Sequence, residues 1–561
     1  MTTGSDIAIA RLLVETLEGR GVTTAVLSPG SRNAPLTVTV ARSAVMTRHV
    51  VVDERSAAFF ALGLARQRGE AVALVCTSGT ALLGYAPAVA EAFYQGVPLV
   101  VISADRPPEW IDQDDGQTIR QRGALSNVVK GAFELPVGEG EAECRHARRL
   151  LNEAVSLARE GMPGPVHVNV PLREPLYGFS PRPPLSSPPV TPAGTEWRLA
   201  EAEAARLRER LAGSPSVVVL AGFMSPDDEL AGCLARLSAS GRAVVLADAL
   251  ANLPATGSVD AVDRLLSTLD ADARAALEPE VLVSIGGALV SRQLKSLARG
   301  WTRAEQWRVG RRLSPPDAFC RLSMSARLSP SVFFRQLEGD GWPVAPTNYA
   351  ARWEEARAVA SSRHEAALAT LPWCDLVAFS LILTAIPAGS LLHLGNSTPA
   401  RYAQLFEQPA ATRVDGNRGT SGIEGATSTA VGAAVASGRL TVLVTGDLAF
   451  LYDSNALWCL PSPPNLRVIV MLNGGGGIFR LLPGSSGLAE VRELFETPHG
   501  VDVAALARLH GFAVVEVADA AALSAALPSF LAPSDRPSAL VVRTEGRPNG
   551  ELLNRYFKSL I

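Results

Sequence analysis

Short apolar runs recur along nearly the whole chain, each closing on Gly, Ser, Asp or Asn and leading into a stretch of helical periodicity. The first third carries TTAVLS, HVVVD, AVALVCT, PLVVIS and PVHVNV, the middle PSVVVLAG, AVVLAD and VLVSIG, and the last SLLHLGN, LTVLVTGD, RVIVMLN, FAVVEV and ALVVRT. Strands that alternate with helices pair in parallel through crossovers, so the pattern predicts an α/β protein with helices on both faces of its sheets. Two breaks divide it. PRPPLSSPPVTPAG, residues 181–194, holds six prolines and little apolar periodicity, which reads as a stiff extended linker. WPVAPTN, 342–348, is a weaker boundary. The expected organisation is three doubly wound parallel-sheet domains: 1–180, a linker at 181–195, 196–345, and 350–561. The first and third share a strand-turn-helix style that suggests a duplicated fold.

Bulk properties exclude several classes. A net charge of −3 without a basic tract leaves no nucleic-acid footprint. No run is long enough to span a membrane, and the N-terminus lacks the basic-then-apolar pattern of a leader. The six cysteines form no CxxC pair and no disulfide-like spacing, which fits a reducing cytosol and a cytoplasmic enzyme.

Chemistry-bearing residues gather where strands end. The runs TVLVTGD and RVIVMLN read as parallel neighbours of a βαβ unit, which places Asp447 and Asn473, 26 positions apart, on one crevice. Hard oxygen ligands there suit Mg²⁺, which usually keeps waters and borrows phosphate oxygens, so a bound diphosphate is implied. A strand-end Asp capping a helix beside a Gly-rich turn fits the same residues. Near the N-terminus, Ser28-Pro29-Gly30-Ser31-Arg32-Asn33 projects Ser31 and Arg32 beyond a strand. Asp53-Glu54 opens the very apolar AAFFALGLA helix, where burial of a first-turn carboxyl would raise its pKa. Arg106 and Gln117 follow the strand PLVVIS, while Arg401 and Arg418 lie near the turns LGNS and NRGTSGIEG. Read singly, each arginine fits a surface ion pair at least as well. Together they match a substrate with several carboxylates, because guanidinium pairs bidentately with them. None of the seven histidines accompanies these motifs, and His49 and His393 read as core or edge residues of strands.

In order along the chain, SPGSRNAPL, VDERSAAFFALGLA, CTSGTA, ISADRPPE, GQTIRQ, LGNSTPAR, NRGTSGIEG, GDLAFLYDSNAL and NGGGGIF resemble the thiamin diphosphate enzymes. The likeness is to the 2-succinyl-5-enolpyruvyl-6-hydroxy-3-cyclohexene-1-carboxylate synthases of menaquinone biosynthesis. The resemblance implies pyrimidine-binding, middle and diphosphate-binding domains, with thiamin diphosphate and Mg²⁺, or Mn²⁺ in its place. It implies decarboxylation of 2-oxoglutarate, addition of the product to isochorismate, and a homodimer or dimer of dimers with active sites between subunits. Glu54 matches the carboxyl that hydrogen-bonds the pyrimidine ring and activates the cofactor. Asp447, Asn473 and the Gly475 carbonyl match the metal ligands. Asn396, Ser397, Ser421, Ile423, Leu448 and Ala449 match further cofactor contacts, Ile423 being the residue that bends the cofactor. Ser31, Arg32, Arg106, Gln117, Ser397, Arg401 and Arg418 match polar residues around the substrates, and Ile478, Phe479 and Leu482 an apolar wall. Arg292 falls where the family often has lysine, and Leu472-Asn473-Gly474 replaces consecutive asparagines, a change that bears on loop rigidity. The alternatives are another 2-oxo acid lyase of the acetolactate synthase type, and a cofactor-binding regulatory or scaffold protein without turnover. Four arginines exceed what a small acceptor needs, and retention of Glu54 opposes the second.

Overall fold

The computed structural model describes residues 2–182, 190, 196–339, 341–344, 347–409, 412–480, 488 and 490–561. Most of the proline-rich stretch and Leu482 lie outside them. Three parallel sheets carry the described fold. After β1 (Thr2–Thr3), the first sheet takes β2 (Thr24–Leu27), β3 (Thr47–Val50), β4 (Val72–Cys76), β5 (Leu99–Asp105), β6 (Ala132–Glu134) and β7 (Val166–Pro171). Its order is β3-β2-β4-β5-β7-β6, and β8 (Pro181–Arg182) pairs antiparallel with β1. The second sheet, β10-β9-β11-β12-β13, uses β9 (Val217–Ala221), β10 (Ala243–Ala247), β11 (Val281–Ile285), β12 (Glu305–Val309) and β13 (Leu322–Ala326). In the third, β14 (Leu391–Leu394), β15 (Arg413–Asp415), β16 (Thr441–Gly446), β17 (Leu466–Leu472), β18 (Ala513–Val517) and β19 (Ser538–Arg543) lie in the order β15-β14-β16-β17-β19-β18.

The first and third sheets therefore run second, first, third, fourth, sixth, fifth, the same order twice. Strands buried on both faces read as continuous apolar runs, which is why TVLVTG and LVVISAD show no alternation. In the second sheet, Val217, Val219 and Ala221 enter one core and Val218 and Leu220 another, one on each face. Tyr349, Trp353 and Ala360 of the helix Tyr349–Ala369 join the second of these cores, and Ala367 joins that of the third sheet. Among the described residues no helix is long and apolar enough to cross a membrane.

The chain also groups into two compact units, each drawn from separate stretches of sequence. One comprises Met1–Gly194, Gly419–Gly438 and Tyr452–Pro463; the other Thr195–Arg418, Arg439–Leu451 and Pro464–Ile561. Helix packing explains the exchange. The helix Glu54–Arg68, capped by Asp53 and stopped by Gly69 at φ 68°, is buried without a break from Ser56 to Ala65. It lies against the helix Ala426–Ser437, where a Cβ on Gly63 would come within 2.2 Å of the Thr429 carbonyl oxygen and one on Gly432 within 2.2 Å of that of Phe60. Backbone meets backbone there, so only glycine fits at either position.

Candidate active site

In the first unit the chain reverses direction between β2 and β4, the place where open α/β sheets collect ligands beyond their carboxyl ends. The β2 turn is fixed by Asn33, whose amide donates to the Ser28 carbonyl and accepts from the Gly30 amide. Gly30 lies so close to Thr77 that a Cβ would stand 2.4 Å from that side chain. At the β4 turn Thr77 Oγ1 and Ser78 Oγ are buried without a hydrogen-bond partner among the described residues, and buried hydroxyls are rarely left so. Glu54 completes this end of the sheet. Gly84 makes room for it, since a Cβ there would fall 2.8 Å from Glu54 Cβ. Asp53 is committed to Arg55 N, Ser56 Oγ and Asn455 Nδ2, which leaves Glu54 as the available acid. Burial, and then the Asp53 charge, raise the Glu54 carboxyl above its ordinary range. Its own charge in turn helps to push Cys76 and Tyr85 up.

Arg32 and Arg106 meet a common carboxylate. Buried Arg32 donates to the Leu172 carbonyl at 3.0 Å and to Glu174 Oε1 at 3.1 Å. Arg106 Nη1 stands 3.9 Å from the same Glu174 oxygen, while its Nε pairs with Asp115 at 3.1 Å and its Nη2 donates to the Gly116 carbonyl. Asp105 accepts Arg106's own amide and Asn169 Nδ2. Ser31 Oγ lies 3.0 Å from the Tyr177 hydroxyl, and exposed Gln117, at φ 56°, sets its backbone against Gly79. The turn after Arg418 also belongs to this unit. Buried Glu91 accepts from Gly419 N, Thr420 N and Thr420 Oγ1, and Gly425 sits on the Phe59 ring, so Ser421 and Ile423 stand exposed between two anchors.

In the second unit the equivalent reversal lies between β14 and β16, and Asp447 follows β16. Its Oδ1 accepts the Leu448 amide and its Oδ2 the amides of Gly474 and Gly475, at 2.8 and 3.1 Å. Asn473 closes the adjacent β17, the parallel pairing expected of the two runs. The glycine-rich loop that looked short of side-chain ties is fastened through its backbone. Gly475, at φ 139°, comes so near Glu496 that a Cβ would stand 2.3 Å from that carbonyl oxygen, which also accepts the Gly476 amide. Leu448 and buried Ala449 continue the Asp447 helix, and Ile478 and Phe479 follow the loop, with Phe479 5.5 Å from the Phe495 ring.

Histidine does accompany this motif, contrary to the sequence reading. His499 Nε2 stands 3.4 Å from Asp447 Oδ2. Its Nδ1 accepts the Val501 amide, which assigns the ring proton to the nitrogen facing the carboxylate. No local signal in ETPHGVD marks this, since the pairing spans 52 positions.

Arg292, Lys295, Arg401 and Arg418 act on one another's charge in this unit. Asn396 holds the β14 and β15 turns together, donating to the Asn417 carbonyl and accepting from Arg418 Nη1 at 2.7 Å. Ser397, at φ 75°, turns the chain into the short helix bearing Arg401. Burial lowers the Arg401 pKa, and the charges of Arg292 and Arg418 lower it further. Lys295, which the sequence did not single out, is likewise lowered by burial and then by Arg418. Two buried carboxyls lie near them: Asp263, pushed up to about 7 by burial, and Asp248, bonded by the amides of Val290 and Ser291.

The donor set suits a hard cation with a phosphate ligand. Asp447 offers one carboxylate, Asn473 a neutral amide and Gly475 a carbonyl, and no group of three or more His, Cys, Asp or Glu could hold a metal among the described residues. So few protein charges leave coordination to be completed by water and anionic oxygens.

Residues 7–127 match the family described as thiamine pyrophosphate enzyme, N-terminal TPP binding domain, and residues 394–542 its C-terminal TPP binding domain. The fold and the two crevices thus define a thiamin diphosphate-dependent enzyme. Curated relatives extend the match over the full chain. A 2-succinyl-5-enolpyruvyl-6-hydroxy-3-cyclohexene-1-carboxylate synthase of Porphyromonas gingivalis is 42% identical over 99% of this chain and 97% of its own length. Those of Flavobacterium psychrophilum and Flavobacterium johnsoniae are 38% and 36% identical, each over 99% of both chains. This chain belongs to the 2-succinyl-5-enolpyruvyl-6-hydroxy-3-cyclohexene-1-carboxylate synthase family.

Proposed function

We propose that the chain decarboxylates 2-oxoglutarate and transfers the four-carbon remainder to isochorismate, releasing CO₂, with Mg²⁺ or Mn²⁺ beside thiamin diphosphate. The bound cofactor supplies the carbon nucleophile and electron sink that decarboxylation of a 2-oxo acid requires. Glu54 holds a proton at the cofactor's pyrimidine edge, a role favoured by the burial that raises its carboxyl above the ordinary range. Asp447, Asn473 and the Gly475 carbonyl hold the metal, and the metal holds the diphosphate. Arg32, Arg106, Arg292, Arg401 and Arg418 orient substrate carboxylates, with Ser31, Gln117 and Ser397 beside them and Ile478, Phe479 and Leu482 as an apolar wall.

The observation that carries the reading is the Glu174 carboxylate, 73% exposed, resting on buried Arg32 with Arg106 close by. A carboxylate already paired with both arginines supports a substrate that carries one. Incubation with isochorismate, 2-oxoglutarate, thiamin diphosphate and Mg²⁺ should consume isochorismate with one CO₂ per turnover. Release of CO₂ with isochorismate untouched, or acetolactate formation from pyruvate at a comparable rate, would favour the acetolactate synthase reading.

The active sites are further proposed to lie between two copies. Glu54 and Asp447 belong to different compact units, and Ile423, Tyr452 and Trp458 of the first expose apolar surface. Mixing a Glu54→Gln chain with an Asp447→Ala chain under exchange should restore part of the activity. No recovery despite verified exchange would remove the shared site.

A further inference from the structure

Asn473 is useful to a cation only if its amide presents oxygen, and an amide rotated by half a turn presents two N–H groups of the wrong polarity. The structure fixes this choice through a residue that no motif includes. Asp375 opens the helix Asp375–Ala385 and is fully buried, and its Oδ2 accepts Asn473 Nδ2 at 2.9 Å. Its Oδ1 accepts the Thr544 hydroxyl in a short hydrogen bond. The Asp375 amide donates to Asn549 Oδ1 at 2.9 Å, and Asn549 Nδ2 returns to Thr544 Oγ1. Thr544 is itself tied by its amide to the Leu472 carbonyl, the residue before Asn473. Four polar groups from the helix, the ends of β17 and β19, and the final helix thus close on one side of the Asn473 amide.

Burying a carboxylate costs several kcal/mol unless its oxygens are well satisfied. Here both are, by two neutral donors, and a neutral amide at 375 would offer only one oxygen acceptor to the pair. Because the Asn473 Nδ2 is committed to Asp375, its Oδ1 is turned to the opposite side. We infer that Asp375 is a positioning residue for the metal, fixing the orientation in which Asn473 ligates it. The inference rests on the metal reading above, and partners that orient a ligand typically change metal affinity about 10–100-fold when removed.

The test measures Mn²⁺ bound to the full-length protein in the presence of thiamin diphosphate, from the free-Mn²⁺ resonance, with thermal unfolding recorded in parallel. Parent protein that binds Mn²⁺ no better than Asp447→Ala would sink the metal reading itself. If the parent binds and Asp447→Ala does not, Asp375→Ala should weaken binding about tenfold or more. The exchanged pair Asp375→Asn with Asn473→Asp restores one donor facing one carboxylate, and it should recover most of that loss. A merely structural role would not be rescued in metal affinity by such a swap. Binding by Asp375→Ala within twofold of parent overturns the proposal. Should that variant fail to fold, a folded exchanged pair with affinity still tenfold weak overturns it.

Discussion

The first and third sheets share one strand order but differ in what stands at the point where that order reverses. At the first, the β2 and β4 turns end in neutral hydroxyls, two of them buried without partners among the described residues, with a raised carboxyl from the β3 turn alongside. At the third, the strand corresponding to β4 ends in Asp447, whose carboxyl burial also raises while three backbone amides and His499 oppose the rise. One fold has been used twice, with burial raising an acid above its ordinary range at both crevices. The difference lies in what surrounds each carboxyl: Asp447 receives the Leu448 amide, two amides from a glycine-rich loop and the neighbouring His499, all opposing the rise, whereas Glu54 has a second acid, Asp53, adding to it. Topology fixes the position of a crevice, and a few polar groups fix its chemistry.

The contrast is broken most directly by exchanging the acids' properties. Glu54→Gln should reduce kcat about 10²–10⁴-fold, with thiamin diphosphate affinity changed little, while Asp447→Ala should lose metal and cofactor binding first. Calorimetric titration of both variants separates the two. Equal loss of cofactor affinity in both would erase the proposed division of labour.

Next in size are the arginines. Arg106→Ala and Arg401→Ala should each lower kcat/KM about tenfold to a hundredfold, since a charge-assisted hydrogen bond is worth about 1.5–3 kcal/mol. Cofactor affinity should stay near that of the parent. Steady-state kinetics with each substrate varied in turn would assign each arginine to a substrate, and unchanged constants would remove it from the pocket.

A third measurement sharpens the role of the glycine-rich loop. Gly475→Ala places a Cβ at φ 139° and against the Glu496 carbonyl, a strain of about 1–3 kcal/mol. Mg²⁺ affinity in the presence of thiamin diphosphate should fall roughly tenfold. The companion change Gly474→Ala meets no neighbouring atom within 4 Å, although at φ 82° it too is strained. It should cost less than Gly475→Ala, and the reverse ranking would show that contact with Glu496 is not what requires glycine.

The last effect is on stability, not on the site, and concerns the helix that the first unit takes from the chain's last third. Ser428, near its start, donates its amide and hydroxyl to Asp453, whose carboxyl burial pushes up to about 7. An unfolded Asp titrates near 3.9, so between about pH 4 and 7 the folded state binds more protons and stability falls as pH rises. Asp453→Asn keeps the Ser428 contacts, its amide donating to the hydroxyl. Unfolding free energies from pH 4 to 8 should decline less steeply in this variant, by up to about 1.4 kcal/mol per pH unit. Parallel curves would mean that Asp453 is charged throughout.

Much of the fold was legible because its signals are local. Apolar runs ending in Gly, Ser or Asp mark strands, and their alternation with helices leaves parallel sheets as the consistent arrangement. Glu54 and Asp447 stood out because each follows a strand with its own motif around it. The neighbours that govern those acids carried no such mark. His499 lies 52 positions beyond Asp447, Asp375 precedes Asn473 by 98, Glu174 meets Arg32 across 142, and Glu91 grips Gly419 across 328. By itself the sequence determined the elements, their class and the residues at strand ends, since backbone periodicity and turn chemistry act over a few residues. Only the tertiary structure decided which distant donors face those residues, because hydrogen-bond partners are chosen by how buried faces pack, and packing brings together positions that no local pattern relates.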